Sequence, residues 1–137
     1  MRDPMESFVE QVSAQLATVE GDRPIVMINL LRFRDRAQYR SPGDANPCSG
    51  SEAYARYARE AFRFVTSVGG QVIWRGSPRA VLLGPTTERW DDALLVQYPS
   101  KQAFLRMIGN PDYQAITVHR TAALEDSRLI ATTPTAP

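Results

Sequence analysis

The sequence predicts an α+β domain with a ferredoxin-like β-α-β-β-α-β core, preceded by one added helix. Short apolar runs typical of strands alternate with amphipathic helical segments in that order. Right-handed crossovers then give an antiparallel sheet with both core helices on one face. The 137 residues suffice for a single domain, with the added helix at 3–20, the core at 25–133 and a long loop at 34–50.

The helices are predicted from their caps and their apolar spacing. Asp3 is expected to cap the added helix, and Ser51 is expected to cap the next one. That second helix carries one apolar stripe opposite its charged residues. A short helix follows Ser100, and the last helix begins at residues 110–112 and ends near Leu124.

The strands are predicted from short runs of apolar and β-branched residues. They are PIVMINLLRF at 24–33, QVIWRG at 71–76, DALLVQYP at 92–99 and SRLIATT at the end of the core. A further apolar run, RAVLLG at 79–84, is also expected to be a strand segment. The segment 34–50 has no periodicity, and loops of this length are usually functional lids or mobile segments.

The strands are apolar on both faces, which predicts a partner for the face that the helices leave open. In the first strand the residues of one face are Ile25, Met27 and Leu31, and those of the other are Val26, Ile28 and Leu30. A sheet with one solvated face would alternate between apolar and polar residues. We therefore expect a homodimer through sheet-to-sheet packing; alternatively, the added helix covers part of this face within one chain.

Composition and charge narrow the classes of partner. The formal net charge is +1, which argues against nucleic acid or an anionic membrane as the main partner. The single cysteine, Cys48, excludes an intramolecular disulfide, and the sequence shows no secretory signal or transmembrane run. We expect a cytoplasmic protein in which Cys48 has no catalytic role.

Four motifs carry a resemblance to a known family. EAYARYA, GGQVIWRG, DDALLVQYPSKQAF and NPDYQAITVHRTAA are similar to segments of the small bacterial proteins of the domain-of-unknown-function-1330 family, within the dimeric α+β barrel superfamily. The resemblance covers about residues 25–133, and it implies the fold and the dimer. It implies no settled activity, because superfamily relatives include cofactor-independent monooxygenases, muconolactone isomerases, haem-degrading enzymes and stress-related proteins.

His119 and Arg120 are the candidate catalytic residues. His119 lies on the inward stripe of the last helix, where it would serve as a general base or orient a substrate carbonyl. The alternative is a hydrogen-bonded core histidine or a dimer contact. Arg120 suits a carboxylate or an enolate, and its alternative is an ion pair with Glu125 or Asp126.

Six further residues are candidates for ligand binding in a pocket between helices and sheet. Two buried amides would line the pocket or hydrogen-bond across the dimer, one arginine would guard the pocket mouth, and three aromatic residues would form walls or core; they are Asn29, Gln97, Arg32, Trp74, Trp90 and Tyr98. Trp74 is expected to share its strand face with Val72, and Tyr98 is expected to share its face with Leu94 and Val96.

The sequence leaves two main hypotheses for function. The first is a dimer that binds a small planar or acidic organic molecule, with cofactor-independent oxygenation or isomerisation if it is an enzyme. The second is a non-catalytic dimer without a preformed pocket, whose core Phe62, Phe104 and Ile116 would fill. We expect no metal, because no metal-ligand spacing occurs, and no cofactor; haem binding through His119 is a weaker third hypothesis.

Overall fold

The computed structural model describes residues 4–41 and 47–136 and confirms the ferredoxin-like α+β prediction. In chain order the elements are α1 Pro4–Leu16, β1 Ile25–Phe33, α2 Gly50–Ser67, β2 Gln71–Gly76, β3 Asp92–Tyr98, α3 Lys101–Ile108, α4 Pro111–Ala123 and β4 Leu124–Thr132. The predicted cap Asp3 and residues 42–46 of the predicted loop lie outside the described residues.

The strands form one antiparallel sheet in the order β2-β3-β1-β4. In the register of β1 and β3, Met27 pairs with Val96, and Asn29 pairs with Leu94. These side chains lie on the face that α2 and α4 cover, because residues opposite each other in a ladder share a face. This covered face is the floor of the candidate site described below.

A β-bulge in β2 separates two residues that the sequence places on one face. Val72 pairs with Val96, but Trp74 pairs with Leu95, and Ile73 is the extra residue between them. Val72 therefore faces the helices, while Trp74 faces away from them. The predicted common face of Val72 and Trp74 is wrong, because strict alternation assumes a strand without a bulge.

The apolar run at residues 79–84 is not a strand in the described chain, so this prediction is also wrong. It follows β2 as an irregular surface segment between Pro78 and Pro85, with a bend at residues 82–84. Leu82 and Leu83 are 89% and 96% exposed. Proline lacks the N–H that a sheet ladder needs, which is consistent with the end of β2 before this segment.

At the start of α2, the backbone packs closely against the end of β1 and the end of α4. Ser49, and not the predicted Ser51, caps the helix: its Oγ accepts from the Glu52 N–H, and the Glu52 carboxylate accepts from the Ser49 N–H. The Gly50 N–H donates to the Arg34 carbonyl at 3.0 Å. A Cβ atom at Gly50 would lie 2.2 Å from that carbonyl oxygen and 2.7 Å from the carbonyl oxygen of Ala123.

The helix α1 packs on the helical side of the molecule. Leu16 is buried in the main core cluster with Ile108 and Tyr113, and the Lys101 ammonium donates to the carbonyls of Leu16 and Val19. α1 therefore lies beside α3 and does not cover the open face of the sheet. The alternative prediction, in which the added helix covers that face, is wrong.

We predict that Gly50→Ala destabilises the protein by about 3 kcal/mol, because the new methyl group overlaps backbone atoms that cannot move independently. Urea unfolding monitored by circular dichroism measures this change. The matched control is Ser51→Ala at the adjacent exposed position, which should change the free energy of unfolding by less than about 0.5 kcal/mol. Equal stability of the two variants would contradict the close junction.

Candidate functional site

A cavity of about 410 Å³ lies between the covered face of the sheet and the helices. Its floor includes Met27, Asn29 and Val96, and its roof comes from α2 and α4. The first two turns of α1 contribute Pro4, Met5 and Phe8 to its lining. This volume lies within the range of about 300–1,000 Å³ that is typical of small-molecule pockets.

The apolar stripe of α2 forms one wall of the cavity. Its six members, all of which line the cavity, are Tyr54, Tyr57, Ala58, Ala61, Phe62 and Val65. Phe62 is 67% exposed, so it does not fill the space between helix and sheet. Of the three residues that the second hypothesis places in a filled core, Phe62 is thus not buried, whereas Phe104 is buried in the main core cluster and Ile116 packs against that cluster.

Two tyrosine hydroxyls meet in the cavity wall. Tyr57 Oη and Tyr113 Oη are 2.6 Å apart and share a hydrogen bond. Burial raises the pKa of both phenols, and it also raises the pKa of Tyr54 to about 12, while the nearby Arg120 charge opposes the shift in each case. These tyrosines therefore remain neutral hydrogen-bond donors at physiological pH and do not act as bases.

Arg120 brings an uncompensated positive charge to this wall. Its side chain lines the cavity and is partly buried. Among the described residues it has no hydrogen-bond acceptor and no carboxylate within ion-pair distance. The described lining contains no aspartate or glutamate either. A charge removed partly from water and left without a partner is costly, which makes an anionic ligand the natural complement.

The second arginine of the lining, Arg75, is already neutralised. Its Nε and Nη2 donate to the Asp92 carboxylate at 3.1 and 2.8 Å in a bidentate pair. Asp92 is buried, and it also accepts from the Ala93 N–H. Arg75 is thus held by the first residue of β3, so Arg120 is the available cation of the described lining.

Asn29 is the polar group of the sheet floor. Its amide nitrogen makes one long contact, 3.5 Å, to the Met27 carbonyl. The amide lies between Leu94 and Leu129 in the ladder, and both of these residues also line the cavity. Asn29 therefore offers a ligand a hydrogen bond in an otherwise apolar floor.

The structure places His119 away from the cavity lining. Its Nδ1 lies 2.7 Å from the Tyr39 hydroxyl, and the two rings meet edge to face. Arg56 Nη1 donates to the same hydroxyl at 3.4 Å. Backbone hydrogen bonds also join Arg34 and Gln38 to the last turn of α4. His119 thus helps to hold residues 34–39 against α4, and no lining residue accepts from it.

Arg32 and Trp90 belong to an ion-pair network near the ends of β1 and β4. Arg32 pairs with Asp126 at 3.1 Å and with Glu125 at 3.6 Å, so the acids considered as partners for Arg120 are bound by Arg32. The indole of Trp90 lies beneath the guanidinium groups of Arg32 and Arg128. Neither Arg32, predicted at the pocket mouth, nor Trp90, predicted as a wall, is among the described residues that line the cavity.

The remaining candidates divide between the two faces of the sheet. Tyr98 lines the cavity on the same face as Leu94 and Val96, as its alternation predicts. Gln97 pairs with Val26, and Trp74 pairs with Leu95, so both lie on the open face. Of the eight candidates, the described lining contains Asn29, Tyr98 and Arg120.

Two polar residues that line the cavity beside Arg120, Tyr57 and Tyr113, were not among the predicted site residues. Tyr57 belongs to the apolar stripe of α2, and Tyr113 lies near the start of α4. The spacing of each tyrosine within its own helix could have identified it, because residues that repeat every three or four positions share a helix face. The described residues hold no cluster of metal-ligating side chains and no helix long and apolar enough to span a bilayer.

The fold and the cavity define a ferredoxin-like α+β protein with a pocket between its helices and its sheet. The family model described as "Domain of unknown function (DUF1330)" matches residues 48–133. The chain belongs to this family, as the sequence motifs predict.

Solved structures extend the similarity beyond the matched segment. RPA0582, a protein of unknown function from Rhodopseudomonas palustris, is 41% identical with a TM-score of 0.84, over 93% of this chain and 95% of that chain. The methylated form of RPA0582 gives the same identity and TM-score, over 93% of each chain. A hypothetical Arabidopsis thaliana protein, at 14% identity and a TM-score of 0.50 over 89% of this chain and 97% of that chain, shares the fold alone. No curated protein matches the chain.

We predict that Tyr39 and His119 stabilise the protein as a coupled pair. A double-mutant cycle with Tyr39→Phe and His119→Gln should give a coupling energy of about 1 kcal/mol, because one hydrogen bond joins the two side chains. Urea unfolding of the four proteins measures it. Strictly additive effects would show that this hydrogen bond contributes no coupling energy. His119 would then again be a candidate residue of the functional site.

Proposed function

We propose that this protein is a homodimer that binds a small organic acid in the cavity of each subunit, with the acid group held by Arg120. The observation that supports this proposal is the partly buried Arg120, which lacks a partner among the described residues and faces a lining without a described acidic side chain. A ligand carboxylate would supply the missing charge in a bidentate geometry.

The rest of the lining favours a flat, apolar body for this acid. Tyr54, Tyr98, Phe104 and Tyr113 present aromatic surface, and Met107 adds a polarizable side chain. The neutral Tyr57–Tyr113 pair lies ready to donate to a carboxylate oxygen, and Asn29 suits a second polar group on the ligand. A substituted aromatic or unsaturated acid combines these features.

The proposal also includes a reaction class, in case the protein is an enzyme. If the protein is an enzyme, cofactor-independent isomerisation or oxygenation fits best, because Arg120 and the tyrosine hydroxyls would stabilise a bound enolate or carboxylate. His119 is not proposed as the base, since Tyr39 occupies its Nδ1 and the ring lies off the lining. The cavity also weakens the alternative of a dimer without a preformed pocket. A cytoplasmic location stays a prediction from the sequence.

The homodimer is supported by the composition of the open face of the sheet. Its central part is a patch of apolar side chains, namely Val26, Ile28, Leu30, Ala93 and Leu95, bordered by Trp74 and Ile130. Trp74 is 52% exposed and Ile130 is 47% exposed. A contiguous apolar patch of this kind is typical of an interface, and two copies would cover each other.

We predict that the protein binds aromatic acids in preference to their neutral analogues. By isothermal titration calorimetry, 2-naphthoate should bind, and 2-naphthamide should bind about tenfold more weakly or worse, because it lacks the charge that Arg120 requires. Arg120→Gln should remove the preference. The matched control is Arg59→Gln on the exposed side of α2, which should bind both compounds as the unaltered protein does.

An unaltered affinity in Arg120→Gln would contradict the proposed role of Arg120. The failure of 2-naphthoate, benzoate and decanoate alike to bind at millimolar concentration would contradict an organic-acid site as a whole. Both outcomes are independent of the oligomeric state, since none of the residues on the open face that form the proposed interface lines the cavity.

We predict a dimer of twice the chain mass of 15.3 kDa in native mass spectrometry of freshly purified protein. Ile28→Asp should give a folded monomer, because a charge at the centre of a buried interface loses its hydration. Ala55→Asp, on the exposed side of α2, is the matched control and should stay dimeric. A monomeric unaltered protein would contradict the proposed assembly.

A further inference from the structure

Residues 77–84 form an exposed apolar arm that nothing in the described chain covers. The arm follows β2 and contains Val81, Leu82 and Leu83 in succession, with almost the whole surface of the two leucines open to solvent. Its backbone makes no hydrogen bond with any described residue. Consecutive exposed leucines are unusual on a monomer and indicate an interaction surface or an aggregation hazard.

The amino-acid pattern of the arm is that of a strand. RAVLLG combines a β-branched residue with leucines and alanine, a composition typical of strands. No strand of the described chain pairs with it, and its backbone bends at residues 82–84. An unpaired apolar segment of this composition can pack on another chain.

We propose that this arm packs on a second copy of the chain and buries Leu82 and Leu83 across the dimer. This inference rests on the proposed homodimer and extends it beyond the packing of the two sheet faces. Each subunit would then give one arm and receive one arm, as a two-fold interface requires.

The arm lies next to the open face of the sheet, and this position indicates that the arm packs on a second copy of the chain. The arm leaves β2 two residues after Trp74, whose indole lies over Gly76 on the open face. The same connection returns to the sheet through Trp90, which packs on the guanidinium groups of Arg32 and Arg128. Both ends of the connection thus adjoin the face that two copies would share.

The charge of the arm and of the chain does not favour a membrane as the binding partner of the arm. Residues 77–87 contain one basic residue, Arg79, and the chain as a whole is close to neutral. Attachment to an anionic bilayer takes several basic residues beside the apolar ones. The chemistry of the arm therefore fits an apolar protein surface better than it fits a lipid surface.

The experiment compares Leu82→Asp/Leu83→Asp with the unaltered protein by sedimentation equilibrium. The dissociation constant of the dimer should rise by roughly ten-thousandfold, because each buried leucine contributes a factor of roughly ten and the two subunits together lose four of them. Ser77→Asp/Thr86→Asp is the matched control: it adds the same charge at exposed positions of the same connection and should leave the constant unchanged.

Hydrogen exchange of the backbone amides at 81–84 gives a second readout that does not depend on a substitution in the arm. These amides should exchange slowly in the dimer and at the unprotected rate in the Ile28→Asp monomer. Unprotected exchange in an intact dimer, or an unchanged dissociation constant in the leucine variant, would overturn the proposal while leaving the sheet-to-sheet dimer in place. Cosedimentation of the unaltered protein, but not of the leucine variant, with phosphatidylglycerol vesicles would overturn the proposal and would indicate that the arm binds lipid.

A monomeric unaltered protein overturns both the arm and the dimer. Binding of 2-naphthoate would still be judged by calorimetry, because no residue of the arm lines the cavity. The proposed ligand site is therefore tested independently of the arm and of the sheet interface.

Discussion

The close approach of Gly50 to the carbonyls of Arg34 and Ala123 fixes the end of the molecule at which β1, α2 and α4 meet. Only a residue without a Cβ allows this distance, so the chain can start α2 directly against the end of α4. From this junction α2 presents its tyrosines and alanines, and α4 presents Arg120, to the same space above the sheet. The same junction holds residues 34–39 against α4, which explains why His119 is engaged with Tyr39.

The space above the sheet stays open beside the middle of α2. Ala58 and Ala61 occupy the middle of the α2 stripe, and Phe62 projects outward. An unfilled cavity costs free energy in proportion to its volume. The charge of Arg120, which has no partner among the described residues, adds to this cost. Under the proposed function, a flat, anionic ligand would offset both costs.

The sequence predicted the elements well and the faces less well, for identifiable reasons. Helical spacing and strand composition are local, so the order of elements and the pairing of Tyr98 with the covered face follow directly from them. The bulge at Ile73 reverses the face of Trp74, and no local pattern announces it. His119 was placed in the site by its helical spacing and Arg32 by its position at the end of β1, yet Tyr39 and Asp126, distant in the chain, bind them. Arg120 was a candidate from the sequence, and its alternative, an ion pair with Glu125 or Asp126, is not formed, because both acids pair with Arg32.

The alternation of β1 and β3 separates the cavity side of the sheet from its open side. Odd-numbered residues of β1 face the cavity, and even-numbered residues face the open side. No open-face residue lines the cavity, so a second copy packed there would leave the ligand space unfilled. This separation accounts for strands that are apolar on both faces without being central strands of a larger sheet. It also means that substitutions on one face can alter assembly while the chemistry of the other face is preserved.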